Sequence, residues 1–158
     1  MEPVRPLPRP IVLYLDDDEA NRKAFMAAFR RDFEVLLAAN LDDAWKLMEL
    51  HQVHVVIADQ RMPVVKGSEA LRRIKDRYPG VKRMLVTAFA DLQAIVDALN
   101  QAGVCYYIQK PWEADQLREA VARAYREIVQ EEERSSFTAR LLESNRQLEF
   151  ALRQRLLS

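Results

Sequence analysis

With 158 residues, 49% of them apolar and 30% charged, the chain has material for one domain with a sizeable core and a modest appendage, and too little for two full domains. Lysine and arginine together number 24, as do aspartate and glutamate, so no global field draws the chain to nucleic acid or to a membrane surface. The lone cysteine, Cys105, excludes an internal disulfide framework and suits a reducing cytoplasm, and no apolar run reaches the length of a membrane span or a signal-peptide core.

Residues 1–10 (MEPVRPLPRP) hold four of the seven prolines, a composition that favours an extended, weakly ordered arm. Ile11 to Leu15 (IVLYL) is a short apolar run that ends in Asp16, Asp17 and Asp18. From Glu19 to Arg31, Ala24, Phe25, Ala28 and Phe29 recur at helical spacing, and a strand-like stretch follows over Phe33 to Ala38. The alternation continues with a helix near Asp42 to His51, a strand over His54 to Ala58 that ends at Asp59, and a helix from Gly67 to Tyr78. After a Pro79-Gly80 turn come a strand over Lys82 to Val86, a helix over Asp91 to Gln101, a strand over Val104 to Ile108, and a helix from Glu113 to about Glu133. Short apolar runs rich in β-branched residues are the mark of strands buried on both faces. Five such runs in strict alternation with helices imply right-handed crossovers and a parallel sheet covered on both faces. The fold class expected is α/β, a doubly wound five-stranded sheet in the flavodoxin-like order 2-1-3-4-5.

Beyond Ile128 the composition changes to QEEERSS, and in the tail Leu141, Asn145, Leu148 and Leu152 are spaced four, three and four, as in a brief heptad seam. The domain organisation expected is therefore an arm over 1–10, an α/β domain over 11–133, and a helical linker or short coiled coil over 134–158.

In open parallel sheets the working crevice lies beyond the carboxyl ends of the strands. That edge would collect Asp16 and Asp17 from the first strand, Asp59 from the third, Thr87 from the fourth and Lys110 from the fifth. Crowded carboxylates repel unless a cation sits among them, and hard oxygen ligands at an open site favour Mg2+. A metal and an ammonium together can neutralise a phosphoryl group in transit while an aspartate acts as its nucleophile. Phosphoryl transfer to Asp59 uses every member of the set. Taken singly the residues have plainer readings: Asp16 to Asp18 as a helix N-terminal cluster, Thr87 as a strand end, Lys110 as a solvated charge, His51 and His54 as surface residues, and Trp45 and Trp112 as packing.

Over about residues 10–133 the chain resembles the receiver domain of two-component response regulators, of the chemotaxis-regulator-like kind, with a C-terminal helical extension. The resemblance rests on LDDDEANR after the first strand, D-x-R-M-P with a glycine eight residues after Asp59, Thr87-Ala88, and Lys110-Pro111. It implies Asp59 as phosphoacceptor, Asp17 as a direct Mg2+ ligand, Asp16 acting through water, and the backbone carbonyl of Arg61 as a further ligand. It also implies that Lys110 and Thr87 hold phosphoryl oxygens, that the Lys110-Pro111 peptide is cis, and that Thr87 and Tyr107 form the switch, with Tyr106 pointing the other way. Val64 replaces the glycine usual in the turn after the aspartate, and Lys66 stands where an acidic or neutral residue is common. Arg61 and Phe89 are bulky and flank the expected phosphate position, which predicts hindrance of the attacking water. The partners implied are a sensor histidine kinase, a second copy through residues 134–158 or the face around Tyr107, and an effector domain beyond residue 158. The DQRMP and KPW variants resemble receivers attached to enhancer-binding ATPases or second-messenger enzymes. The competing readings are a haloacid-dehalogenase-like Mg2+ phosphatase, for which Asp16-x-Asp18 offers the D-x-D, and a phosphorylation-independent scaffold. The phosphatase would need a different turn after Asp18 and a larger core. A nucleotide or flavin module would need a glycine-rich loop, and the chain has only Gly67, Gly80 and Gly103. The chain is thus expected not to be a turnover enzyme, and to bind neither nucleic acid nor membrane directly.

Overall fold

The computed structural model describes residues 8–88, 92–104 and 106–157. Strands β1 (Ile11–Leu15), β2 (Glu34–Ala38), β3 (Val55–Asp59), β4 (Lys82–Thr87) and β5 (Tyr106–Gln109) alternate with helices α1 (Glu19–Phe29), α2 (Leu41–Leu50), α3 (Gly67–Arg77), α4 (Leu92–Gln101) and α5 (Ala114–Leu157). The strands form one parallel sheet in the order β2-β1-β3-β4-β5, as the alternation predicts. The chain divides into two units, one through Tyr125 and one from Arg126.

Successive strand residues face opposite sides of the sheet, and the core splits accordingly. Leu13, Leu15, Val56, Ala58 and Leu85 pack with Ala44 and Met48 of α2 and Ala70, Leu71 and Ile74 of α3. Val12, Tyr14, Val55, Ile57, Met84, Val86 and Ile108 pack with Phe25 and Phe29 of α1 and with Leu117, Val121 and Ala124 of α5. Trp45 lies against the first layer and Trp112 against the second, so both tryptophans pack.

The register fixes what meets at the carboxyl edge. Leu15 pairs with Ala58, Asp59 with Val86, and Thr87 with Gln109. The ladder runs one residue further on three strands: the N–H groups of Asp16, Gln60 and Lys110 donate to the carbonyls of Ala38, Val86 and Thr87 at 3.0, 2.9 and 3.0 Å. Asp16, Asp59, Thr87 and Lys110 are thereby carried to one edge by backbone hydrogen bonding alone.

Several boundaries differ from the sequence reading. β3 includes Asp59, whose backbone still belongs to the ladder, and β5 begins at Tyr106. α5 continues through QEEERSS to Leu157 without a break; glutamate, arginine and glutamine are good helix formers, so the polar run changes exposure and not conformation. In the unit from Arg126, the side chains of Leu141, Asn145, Leu148 and Leu152 are exposed. Of the proline-rich arm, residues 1–7 lie outside the described residues; Pro10 accepts from the Glu34 N–H at 3.0 Å, and Arg9 donates to the Arg30 carbonyl at 3.1 Å. Cys105, Phe89 and Asp91 also lie outside them. His51 is exposed, but His54 is not a plain surface residue: its Nδ1 accepts the Ile11 N–H at 2.9 Å and its ring meets the edge of Tyr125, which stitches the start of β1 to β3.

Candidate functional site

The loop after β1 begins with Asp16, whose side chain is wholly buried. Oδ2 accepts from the Tyr14 hydroxyl at 2.6 Å and from the Asn21 amide at 3.1 Å, and Oδ1 accepts from the Asp18 N–H at 3.0 Å. Arg22 donates to the Asp16 carbonyl at 2.8 Å. Asp18 is spent on a different task, capping α1 by accepting the Asn21 N–H at 3.1 Å, so the helix-cap reading of the acidic cluster holds for this one member. Burial, and then the Asp16 carboxylate, push the Tyr14 phenol far above its ordinary range, which keeps it a donor. Its ring stacks on Phe25 with centroids 4.2 Å apart.

Asp59 is 4% exposed at the end of β3. Lys110 approaches its Oδ2 at 3.0 Å, and the Arg61 N–H lies 3.5 Å from its Oδ1. Burial raises the Asp59 carboxyl above the usual carboxylate range and Asp16 adds to this, while Lys110 pulls the other way. Carboxylate oxygens of Asp16, Asp17 and Asp59 all lie within 4.8 Å of one another, a separation at which two like charges repel by about 3–4 kcal/mol at an effective dielectric near 20. Three carboxylates outnumber the two cations beside them, Lys110 on Asp59 and Arg22 on the Asp16 carbonyl. Such a donor set, with Asp17 exposed and the others buried, suits a hard divalent cation held from the open side.

The loop from Asp59 to α3 passes over the phosphoacceptor candidate so closely that a Cβ on Gly67 would fall 2.3 Å from the Asp59 carbonyl oxygen, which only glycine avoids. Val64, at the tip, has φ of 68°, the left-handed region in which a β-branched residue is an outlier. The Lys110-Pro111 peptide is cis.

Thr87 is buried, and its hydroxyl donates to the Ala88 carbonyl at 3.2 Å. It reaches the same edge as Asp59 by register, yet its described bond is to its own neighbour. Tyr107 is 45% exposed and faces outward, whereas Tyr106 packs against the second core layer, as strand alternation requires. Sequence reasoning assigned no role to Tyr14, Asn21 or Gln60. Tyr14 is buried with its hydroxyl on Asp16, and Gln60 is buried with its side chain on the Ser68 N–H; the sequence signal for Tyr14 is a phenol inside an otherwise aliphatic strand.

Comparison with known proteins bears on this arrangement directly. Residues 12–122 match the response regulator receiver domain. The chain belongs to the response regulator receiver family. This receiver is 40% identical over 113 residues to the hydrogenase transcriptional regulatory protein HoxA of Bradyrhizobium diazoefficiens, covering 72% of this chain and 23% of that protein. It is 31% identical over 147 residues to the C4-dicarboxylate transport transcriptional regulatory protein DctD of Pseudomonas aeruginosa, covering 91% of this chain and 29% of that protein. Among solved structures, the CheY-like response regulator receiver domain protein of Methanospirillum hungatei JF-1 superposes with a TM-score of 0.72 at 28% identity, covering 78% of this chain and 99% of that one. The receiver spans about a quarter of the length of these two relatives. The chain is a receiver domain of two-component signalling, and nothing in these likenesses supports the phosphatase reading.

Proposed function

We propose that Asp59 is the phosphoacceptor of this receiver. The single observation that carries the reading is a buried carboxylate at a sheet edge with two further carboxylates within 4.8 Å and an ammonium at 3.0 Å. In the reaction one Asp59 oxygen attacks the phosphorus of a phosphohistidine on a sensor histidine kinase, the P–N bond breaks, and the imidazole leaves with its electron pair. Asp16, Asp17, Asp59 and the Arg61 backbone carbonyl would hold Mg2+, with Asp16 acting through water. Bound there, the ion supplies charge neutralisation for the phosphoryl oxygens. Lys110 holds one phosphoryl oxygen and Thr87 another, and drawing Thr87 inward vacates space that Tyr107 fills. The surface around Tyr107 is thereby the reporting face.

The output side of the reading is a homodimer through residues 134–158 or the Tyr107 face, controlling an effector domain beyond residue 158. Exposed Leu141, Leu148 and Leu152 on α5 support the first, and exposed Val96, Leu99 and Tyr107 support the second. The chain itself acts as a phosphorylated switch and not as a turnover enzyme. No helix among the described residues is long and apolar enough to cross a membrane, and the place of action proposed is the cytoplasm.

The test is incubation with Mg2+ and acetyl phosphate or beryllofluoride, reading mass and, by light scattering, association state beside Asp59→Asn. Wild type should gain an acid-labile phosphoryl group that the variant does not. Mg2+ binding without phosphorylation or beryllofluoride uptake would overturn the phosphoacceptor reading in favour of a scaffold.

A further inference from the structure

Gln60 follows Asp59 directly and is 3% exposed, a second buried polar side chain after the apolar run Val55 to Ala58. Three bonds converge on it. Its carbonyl accepts the N–H groups of Met62 and Gly67, each at 3.2 Å, and its side-chain Oε1 accepts the Ser68 N–H at 2.8 Å. Ser68 stands in the first turn of α3, whose N-cap residue Lys66 makes no side-chain capping bond. Gln60 therefore serves as the cap of α3 from across the loop, satisfying an N–H that the helix cannot. Both ends of the segment 61–66 are tied to this one residue. Between them Val64 sits in a disfavoured left-handed conformation, 104% exposed, with no side-chain packing to hold it there.

We infer that Gln60 is a positioning residue: its bonds to Gly67 and Ser68 hold the 61–66 loop, against the strain at Val64, in the form that keeps the Arg61 backbone beside Asp59. The inference rests on the reading of Asp59 and Arg61 as parts of a Mg2+ site, and it adds a reason why that site tolerates a valine where the family's turn usually has glycine. Gln60 touches no reacting atom and acts through the loop.

The test is a double-variant cycle of Gln60→Leu and Val64→Gly, read by amide hydrogen exchange in the metal-free protein and by Mg2+ titration calorimetry. Loss of one buried hydrogen bond corresponds to an effect of about five- to tenfold, so Gln60→Leu should speed exchange at Ser68 and weaken Mg2+ binding by about that factor. Val64→Gly, which removes the opposing strain, should recover most of the lost affinity in the double variant. Ser68→Pro deletes the donor and sets a ring carbon where the N–H points, so that Oε1 must turn away, and it should reproduce the weakening. It carries the test should Gln60→Leu fail to fold. Unchanged exchange and affinity in Gln60→Leu, or the same fractional loss whether residue 64 is valine or glycine, would overturn the inference. Absence of Mg2+ binding by wild type would remove the metal-site reading instead, while Ser68 exchange in Gln60→Leu, with and without Val64→Gly, would still decide what Gln60 does to the loop.

Discussion

The two sides of the carboxyl edge are built differently. On the β1 side Asp16 is held through both oxygens and its carbonyl by Tyr14, Asn21, Asp18 and Arg22. On the β4 and β5 side Thr87 has a 3.2 Å bond to the next residue's carbonyl, and Tyr107 lies at the surface. The difference suits the switch proposed above, with Asp16 on its metal side and Thr87 and Tyr107 on its moving side. Ligands that must receive a cation gain from being fixed beforehand, while groups that must move on phosphorylation are drawn from the weakly held end of the structure.

The largest effect expected from this contrast is in stability. Tyr14→Phe keeps the ring on Phe25 and removes one donor from a buried carboxylate, which should cost about 1.5–3 kcal/mol in urea unfolding of the metal-free protein. Thr87→Val, at a position equally buried, should change stability by less than about 1 kcal/mol while abolishing the phosphorylation-dependent change in Tyr107 ring signals seen by NMR. Equal costs for the two would break the contrast.

A second effect follows from the raised Asp59 carboxyl. A folded-state value above the unfolded one means that the fold holds the proton more tightly. Its ionisation therefore costs nothing below the unfolded carboxylate range, near about 3.9, and costs progressively more stability as pH rises through the folded value. Asp59→Asn removes that cost. In chelator-treated protein the variant should be more stable than wild type at neutral pH, with the gap closing toward pH 4; added Mg2+ should narrow the gap at neutral pH. A gap that is flat across the range would show that burial of the charge is not what strains the site.

How much of this was legible beforehand depends on what a side chain pattern can report. Apolar runs that end in Asp16, Asp59, Thr87 and Lys110 report burial and its limit, and the parallel alternation then supplies the shared edge. Hydrogen-bond partners are another matter, because they are chosen by residues far apart in sequence. Tyr14 reads as one more core residue until its hydroxyl is seen on Asp16. Arg83 lies within the strand expected over Lys82 to Val86, but its sequence does not report its partners: it is buried and donates to the carbonyls of Val81, Ala102 and Gly103, tying the start of β4 to the end of α4. Gln60 and His54 fall in the same class. The long α5 is legible in part: residues 134–158 read as helical, but the polar run before them hides that they continue the helix that starts at Ala114, because a helix needs no apolar face to continue from one already nucleated.

The smallest effect tests whether position, and not carboxylate chemistry, sets these differences. Glu69 lies ten residues from Asp59 in the first turn of α3, and its carboxyl is shifted in the other direction, held at about 2 by the Arg72 and Arg73 guanidinium groups. Arg72 meets both of its oxygens, at 2.9 and 2.6 Å, and Arg73 lies at 3.2 Å. A depressed value stabilises the fold above the unfolded carboxylate range, and that contribution is lost as pH falls through about 2. The pair is more than a third exposed, so solvent and salt screen it, and Glu69→Gln should cost at most about 1 kcal/mol at pH 7. The cost should shrink further at high salt and vanish at low pH, whereas the Asp59→Asn gain should survive salt because its cause is burial. Comparable salt sensitivity in the two variants would mean that the Asp59 pocket is open enough for counterions to enter, and that the fixed acidic side of the site is less sheltered than its geometry implies.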